Sequence, residues 1–335
     1  MAVYRQERDN MNQWDGKAHP FFESYYLFCH VPAEQKAFWI QYSLLSPLTR
    51  MGRPSASLKF FYFDLIQPNN QFALKSTFNE EAILCDQDIF YFQLKESAIY
   101  NSGMRGEILG SHQAKWNLHY EHALNSFALY PKAFYYFSWP PAKIISPNWQ
   151  ISLSGELQLD GKQLPIQAIP GTQIHQYGTK HWNHWAWCHF NRFSQEGVIF
   201  EALVGELRWE KKWNRSLSWM ILRVGNETFY FNQLLRTFFN YASYDVDGMN
   251  LEGIRGAYKL VVEVTSLSNR MLGMQETDTD GSKIYVHREG FATCDLKLFE
   301  RKGSQWNLKY EFQAKENGAY ECAHRSLDPD VRLVI

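Results

Sequence analysis

Apolar and polar positions along this chain alternate mostly with a period of two, in short runs broken by turn-forming residues. FFESYYLFCHV is closed by PAEQ and returns as KAFWIQYSLL; SLKFFYFDLI is followed by PNN and then QFALKSTF. Further runs are DIFYFQL, GEILG, WNLHYE, AFYYFSW and WQISLSGELQL, the last ending at an Asp160-Gly161 turn. The second half continues in the same way, with HWAWCHFNRF, GVIFEALVGELRW, LSWMILRV, GNETFYFNQLL, YKLVVEVTSL, KIYVHREG, TCDLKLFE and QWNLKYEFQA. β-branched and aromatic runs at this spacing predict an all-β sandwich or barrel. Only the first dozen residues, QLLRTFFNYAS and the last few residues read as helical or irregular.

The two halves echo each other. Tyr26-Leu-Phe-Cys-His30 resembles Trp185-Ala-Trp-Cys-His189, and Phe61-Tyr-Phe-Asp64 resembles Phe229-Tyr-Phe-Asn232. Trp116-Asn-Leu-His-Tyr-Glu121 matches Trp306-Asn-Leu-Lys-Tyr-Glu311 at all but one position. The matches come in one order, which predicts a duplicated β-domain: residues 1–170 form one antiparallel barrel and residues 171–335 a second, packed against it.

Composition narrows the choice of function. The chain has 335 residues and a net charge of −1, so no electrostatic capture of nucleic acid or of an anionic membrane is expected. Aromatics make up 16% of residues, which favours strands and apolar cavities with rigid walls. Five widely spaced cysteines without a CxxC pair predict reduced thiols and a cytoplasmic setting. The polar N-terminus shows no secretory signal, and no run is long enough for a transmembrane helix.

Candidate chemistry concentrates at mid-chain. Gly171–Phe193 holds His175, His181, His184, His189, Trp182, Trp185 and Trp187. So many aromatics suit a core strand or the wall of an apolar pocket containing a few polar groups. Alternation puts Trp185, Trp187, His189, Asn191 and Phe193 on one face and His184, Ala186, Cys188, Phe190 and Arg192 on the other. The four histidines share no strand face and have no carboxylate nearby in sequence, so neither a metal site nor a cofactor is expected from them. Cys29-His30 and Cys188-His189 are neighbours on strands and point to opposite faces, so neither is a thiol–imidazole dyad. Asp278–Gly281 reads as a hairpin turn and Asp64 as the end of its strand.

Glu23-Ser-Tyr-Tyr-Leu-Phe-Cys-His-Val31, followed by Phe38-Trp-Ile-Gln-Tyr-Ser-Leu-Leu45, resembles the opening hairpin of the AttH-like, lipocalin-like superfamily. His175-Gln-Tyr-Gly178 with Trp185-Ala-Trp187 is similar to the H-N-W/Y-G…W-x-W stretch of carotenoid hydratases, and tocopherol cyclases carry a related element. Ser24, Cys29 and Gln176 depart from the usual Trp, Gly and Asn. The resemblance implies two consecutive lipocalin-like barrels, no metal, and a large hydrophobic substrate such as an isoprenoid. It carries a functional role onto His175 and Tyr177, and it calls for a Tyr-x-Asp pair on the following strand, where this chain has Glu201 and no aspartate.

A proton donor desolvated among aromatics can protonate a double bond, and indole and phenol faces stabilise the resulting cation. The sequence therefore suggests a cofactor-independent lyase or isomerase of hydratase or cyclase type, acting on an isoprenoid or polyketide-like molecule. His175, Tyr177 and Glu201 are its candidate catalytic residues. Glu23, Tyr25, Trp182, Trp185, Trp187, His189 and Arg192 are candidate ligand-binding residues, Glu23 having Arg192 as an alternative, purely structural partner. A second reading is a lipid-binding or transport protein without chemistry, and a third is a scaffold whose own aromatics fill the cavity.

Overall fold

The computed structural model describes residues 5–122, 126–209, 213–233 and 236–335. A short helix α1 (Arg5–Asn10) precedes a sheet that takes all the strands of the N-terminal half. These are β1 (Phe21–Val31), β2 (Lys36–Ser46), β3 (Ser55–Asp64), β4 (Phe72–Asn79), β5 (Ile83–Cys85) and β6 (Tyr91–Leu94). They continue with β7 (Ser97–Tyr100), β8 (Gly103–Leu109), β9 (Gln113–His122), β10 (Phe127–Ala128), β11 (Ala142–Leu159) and β12 (Lys162–Gly178). The second sheet contains β13 (Trp185–Phe190), β14 (Val198–Trp209), β15 (Trp213–Val224), β16 (Glu227–Phe231), β17 (Tyr241–Asp245) and β18 (Gly248–Arg255). It is completed by β19 (Tyr258–Thr265), β20 (Leu272–Thr277), β21 (Lys283–Lys302), β22 (Gln305–His324) and β23 (Arg332–Leu333).

Both sheets are antiparallel through their main path, and they share one topology. The first runs β4-β3-β2-β1-β12-β11-β9-β8-β7-β6-β5 and the second β16-β15-β14-β13-β22-β21-β19-β18-β17. In each, the opening strand pairs with the closing one, β1 with β12 and β13 with β22. This parallel supports a duplication, but only part of the sequence echo falls on equivalent strands. The Tyr26 and Trp185 motifs sit on β1 and β13, which correspond. The Phe61 motif lies on β3 and its echo on β16, and the Trp116 motif lies on β9 and its echo on β22; neither pair occupies matching places.

The chain passes from one sheet to the other between Gly178 and Trp185, later than the division at residue 170 read from the sequence. β12 continues through Gly171–Gly178 because its backbone pairs with β1 over that length. His175 and Tyr177 thus belong to the first sheet. QLLRTFFNYAS, read as helical or irregular, contains a single 3-10 turn (Arg236–Phe238) followed by the start of β17; Leu234 and Leu235 lie outside the described residues.

Period-two alternation sorts the apolar side chains into three cores. Tyr25, Leu27 and Cys29 of β1 point into the first sheet, with Phe38, Phe60, Trp116 and Leu153. Ala186, Cys188 and Phe190 of β13 point into the second, with Phe200, Met220, Leu260 and Leu296. The opposite faces of the same strands meet in a third core, where Phe22, Tyr26, Phe28 and Trp39 pack against Trp185, Trp187, Leu203 and Trp219. That third core is the seam on which the site is built. Phe193 departs from the face read for it, since β13 ends at Phe190 and Phe193 turns into the second core.

Candidate functional site

A cavity of about 200 Å³ lies in the seam, between the outer faces of β1–β4 and those of β13 and β20–β22. Its apolar wall includes Phe22, Tyr26, Trp185 and Met274. Its polar wall is unusual for a space between two sheets, with Lys59, Lys75, Glu276, Arg288 and Glu321 all facing it. Larger hollows of about 430, 570 and 660 Å³ occur at the surface, but solvent-exposed side chains such as Phe239, Tyr136 and Asn70 border them.

Each charge in the cavity is held by specific partners. The Arg288 side chain is 1% exposed, and its Nε donates to Glu321 Oε2 at 2.8 Å. Its Nη1 donates to Gln41 Oε1 at 3.0 Å. The guanidinium lies 4.5 Å from the Trp39 ring centre, 4.9 Å from Phe61 and 5.2 Å from Tyr26. Three aromatic faces around one desolvated cation stabilise it and fix its plane. Trp185 Nε1 donates to the other oxygen of Glu321 at 2.9 Å, so the carboxylate bridges arginine and indole.

Across the cavity, Lys59 forms an ion pair with Glu276, whose second oxygen is 3.7 Å from Lys75 Nζ. Burial pushes the Lys59 ammonium down to about 8, with Lys75 and Arg288 adding to the effect and Glu276 opposing it. Burial would raise Glu276, but Lys59 and Lys75 hold its carboxyl below the usual value. Three cations against two carboxylates leave the lining with an excess positive charge. In a low-dielectric seam such an excess attracts an anion much more strongly than it would at the surface.

The sequence-predicted residues separate into groups. His175 and Glu23 do meet: His175 Nε2 lies 2.8 Å from Glu23 Oε1, and Nδ1 lies 2.9 Å from the Asp9 carbonyl. Glu23 also accepts the backbone N–H groups of Gln13 and Trp14, at 2.7 and 3.0 Å. Tyr25 stacks on His175 and hydrogen-bonds to Glu23 and Asn12. This buried group faces the interior of the first sheet and ties down the segment after α1; Arg192 is not the partner of Glu23. Tyr177 sits beside it, with ring centres 5.0 Å apart, and burial pushes its phenol up to about 12.

Glu201 does not join that group. From β14 it faces the seam, where it accepts the Ser146 hydroxyl at 2.7 and 2.8 Å and Trp187 Nε1 at 3.0 Å. His189 stacks on Trp187, and its Nδ1 lies 3.6 Å from Glu201. Trp187 and Trp185 line a slot of about 20 Å³ next to the main cavity, together with Tyr26, Gln176 and Glu321. Trp182 lies elsewhere, donating to the Tyr130 hydroxyl at 3.1 Å within an aromatic cluster that includes Trp219 and Trp139. Arg192 is half-buried beyond the end of β13. Asp64 ends β3, capping the backbone N–H groups of Ile66 and Gln67. Of the ten candidates, only Trp185 borders the main cavity.

Sequence reasoning missed Lys59, Glu276, Arg288 and Glu321, although a signal was present. Lys59 occupies the same alternating row as Phe61 and Phe63, and Arg288 the same row as Ile284 and Val286. A charge in an otherwise apolar row has to be paired or functional.

Overlaid on solved structures, the chain matches an AttH candidate from Nitrosomonas europaea with a TM-score of 0.52. The match covers 96% of this chain and 98% of that one at 10% identity. The fold is AttH-like. At this identity the likeness extends to the fold and not to the side chains of a site. A protein of unknown function from the DUF3598 family of Nostoc punctiforme shares 9% identity over 96% of this chain and 99% of its own, with a TM-score of 0.15. No protein-family model and no curated protein matches the sequence.

Proposed function

We propose that the seam cavity binds a small amphipathic molecule with an anionic head, and that the protein acts on it as a cofactor-independent acid–base lyase or isomerase. The observation that carries this reading is the burial of Lys59 in an aromatic-walled cavity, paired with Glu276 and opposite Arg288, where desolvation pushes its ammonium down to about 8. A desolvated lysine tuned toward neutrality can both donate and accept a proton at physiological pH. Arg288 and Lys75 would hold the carboxylate or phosphate head, with Phe22, Tyr26 and Trp185 against the apolar part. A cavity of about 150 Å³ holds benzene, so about 200 Å³ suits a ring or short chain better than a whole long isoprenoid.

The second reading, a carrier without chemistry, has its own support. Both cavity carboxylates are committed to cations, Glu276 to Lys59 and Lys75 and Glu321 to Arg288. We take the two sheets as two domains, so the ligand would sit between them. All five cysteines are free, in keeping with a reducing cytoplasmic setting. Among the described residues no helix is long and apolar enough to cross a membrane.

Native mass spectrometry of the purified protein tests the site. A co-purified small acid is expected in the wild type and at least tenfold less in Arg288→Gln. Equal occupancy in both would overturn the assignment. Incubating the extracted compound with fresh wild type and Lys59→Met separates the two readings. Conversion by wild type alone supports chemistry at Lys59, and unchanged compound with both supports the carrier.

A further inference from the structure

Strands β21 and β22 carry a second polar group on the face opposite the seam. His287 is directly across from Cys322, and His324 follows Cys322 by two residues, so all three side chains project from one face. That face belongs to the interior of the second sheet. Cys322 is part of its core, whereas the alternating neighbours Val286 and Ala323 point into the seam. One donor atom from each of His287, Cys322 and His324 lies within 4.8 Å of the others. Cys322 Sγ is 3.9 Å from His287 Nδ1.

Each of the two imidazoles also carries one nitrogen without a hydrogen-bond partner. His287 Nε2 and His324 Nε2 are both buried and unsatisfied. A buried polar atom left unpaired costs about 1–3 kcal/mol, and most such atoms find a partner. Two imidazoles beside one thiol, each with a buried nitrogen left unpaired, call for a shared partner that the described residues do not supply.

We propose that His287, Cys322 and His324 form a binding site for a divalent transition-metal ion of the zinc class. Imidazole nitrogen and cysteine sulfur are the donors that zinc prefers. Around a tetrahedral ion with bonds of about 2.0 Å to nitrogen and 2.3 Å to sulfur, donors stand about 3.5 Å apart. Burial pushes the His287 imidazole down to about 4 and holds His324 below its usual value, so both rings are neutral ligands near pH 7. Burial raises the Cys322 thiol, so binding replaces its proton: the S–H bond breaks, an S–metal bond forms and one H⁺ is released to water.

The remaining coordination position falls to water or to Asp328, whose charge acts on all three side chains. Asp245 acts on Cys322 and His324, and Asp247 on Cys322. Glu206 and His184, themselves 2.7 Å apart, act on His324. The net negative surroundings favour a cation.

Titrating the metal-free full-length chain with Co²⁺ and then Zn²⁺ tests the site. One equivalent of Co²⁺ should give a thiolate-to-cobalt charge-transfer band that Zn²⁺ abolishes by displacement. Cys322→Ser should lose the band, and His324→Gln, a half-buried position tolerant of substitution, should weaken binding at least tenfold. Cys85→Ser, in the first sheet, should bind like the wild type. Absence of stoichiometric binding, or a band that persists in both Cys322→Ser and His324→Gln, would overturn the site.

Discussion

The side chains that matter most here are charged groups placed where the β-pattern calls for apolar ones. Glu23 and His175 are 1% and 0% exposed at the side chain, and each supplies one of the other's hydrogen bonds. Removing one partner of a buried hydrogen bond costs about 1–3 kcal/mol, because the other is left desolvated. His175→Ala is therefore expected to lower stability by about that much and to free the segment around Gln13 and Trp14. Denaturant unfolding, with proteolysis of the N-terminal segment, measures both effects. If turnover vanished at unchanged stability, His175 would be a catalytic group, as its resemblance to carotenoid hydratases implies. His175 and Glu23 were each legible as candidates because both stand out in short aromatic motifs, but their pairing was not: the sequence offered Arg192 as the partner of Glu23. Lys59 and Arg288 were harder to see: their partners Glu276 and Glu321 lie 217 and 33 residues away, and only the folded register brings them together.

Strands are the units through which the sequence speaks most clearly. Alternation in HWAWCHF separates Trp185 and Trp187 from Ala186 and Cys188, and the structure puts the first pair in the seam and the second in the interior of the second sheet. What alternation cannot supply is pairing. Two of the three sequence echoes fall on non-equivalent strands. The end of β12 was also out of reach, because its last residues are held by β1, about 150 positions earlier. Close packing between elements gives a direct check. A Cβ on Gly205 of β14 would stand 2.8 Å from the Trp182 indole. Gly205→Ala is expected to destabilise by about 1–3 kcal/mol through overpacking, read as a lower denaturation midpoint. A neutral outcome would mean that Trp182 is not fixed against this strand.

At the scale of the molecule, the two sheets are joined by an apolar seam with a few polar ties. His30 of the first sheet donates from Nε2 to the Gly290 carbonyl of the second at 2.6 Å. Burial pushes its pKa down to about 3, helped by Arg192 and His189 and opposed by the bond to Gly290. The unfolded chain takes up this proton near pH 6.5 and the folded one only near 3, so ν_U exceeds ν_N between those values. Stability therefore falls as pH drops from about 6.5 toward 3. His30→Gln should flatten the slope by up to about one proton, measured by denaturant unfolding across that range; an unchanged slope would show that His30 is not desolvated in the seam.

The account stands or falls on the seam as the place where a ligand sits. A crystal structure of the protein carrying its co-purified small molecule tests this most directly. The expected density lies between Trp185 and Lys59, with the anionic head within hydrogen-bond distance of Lys59 or Arg288. Density inside the first sheet against His175, or a seam cavity closed by its own side chains, would contradict it.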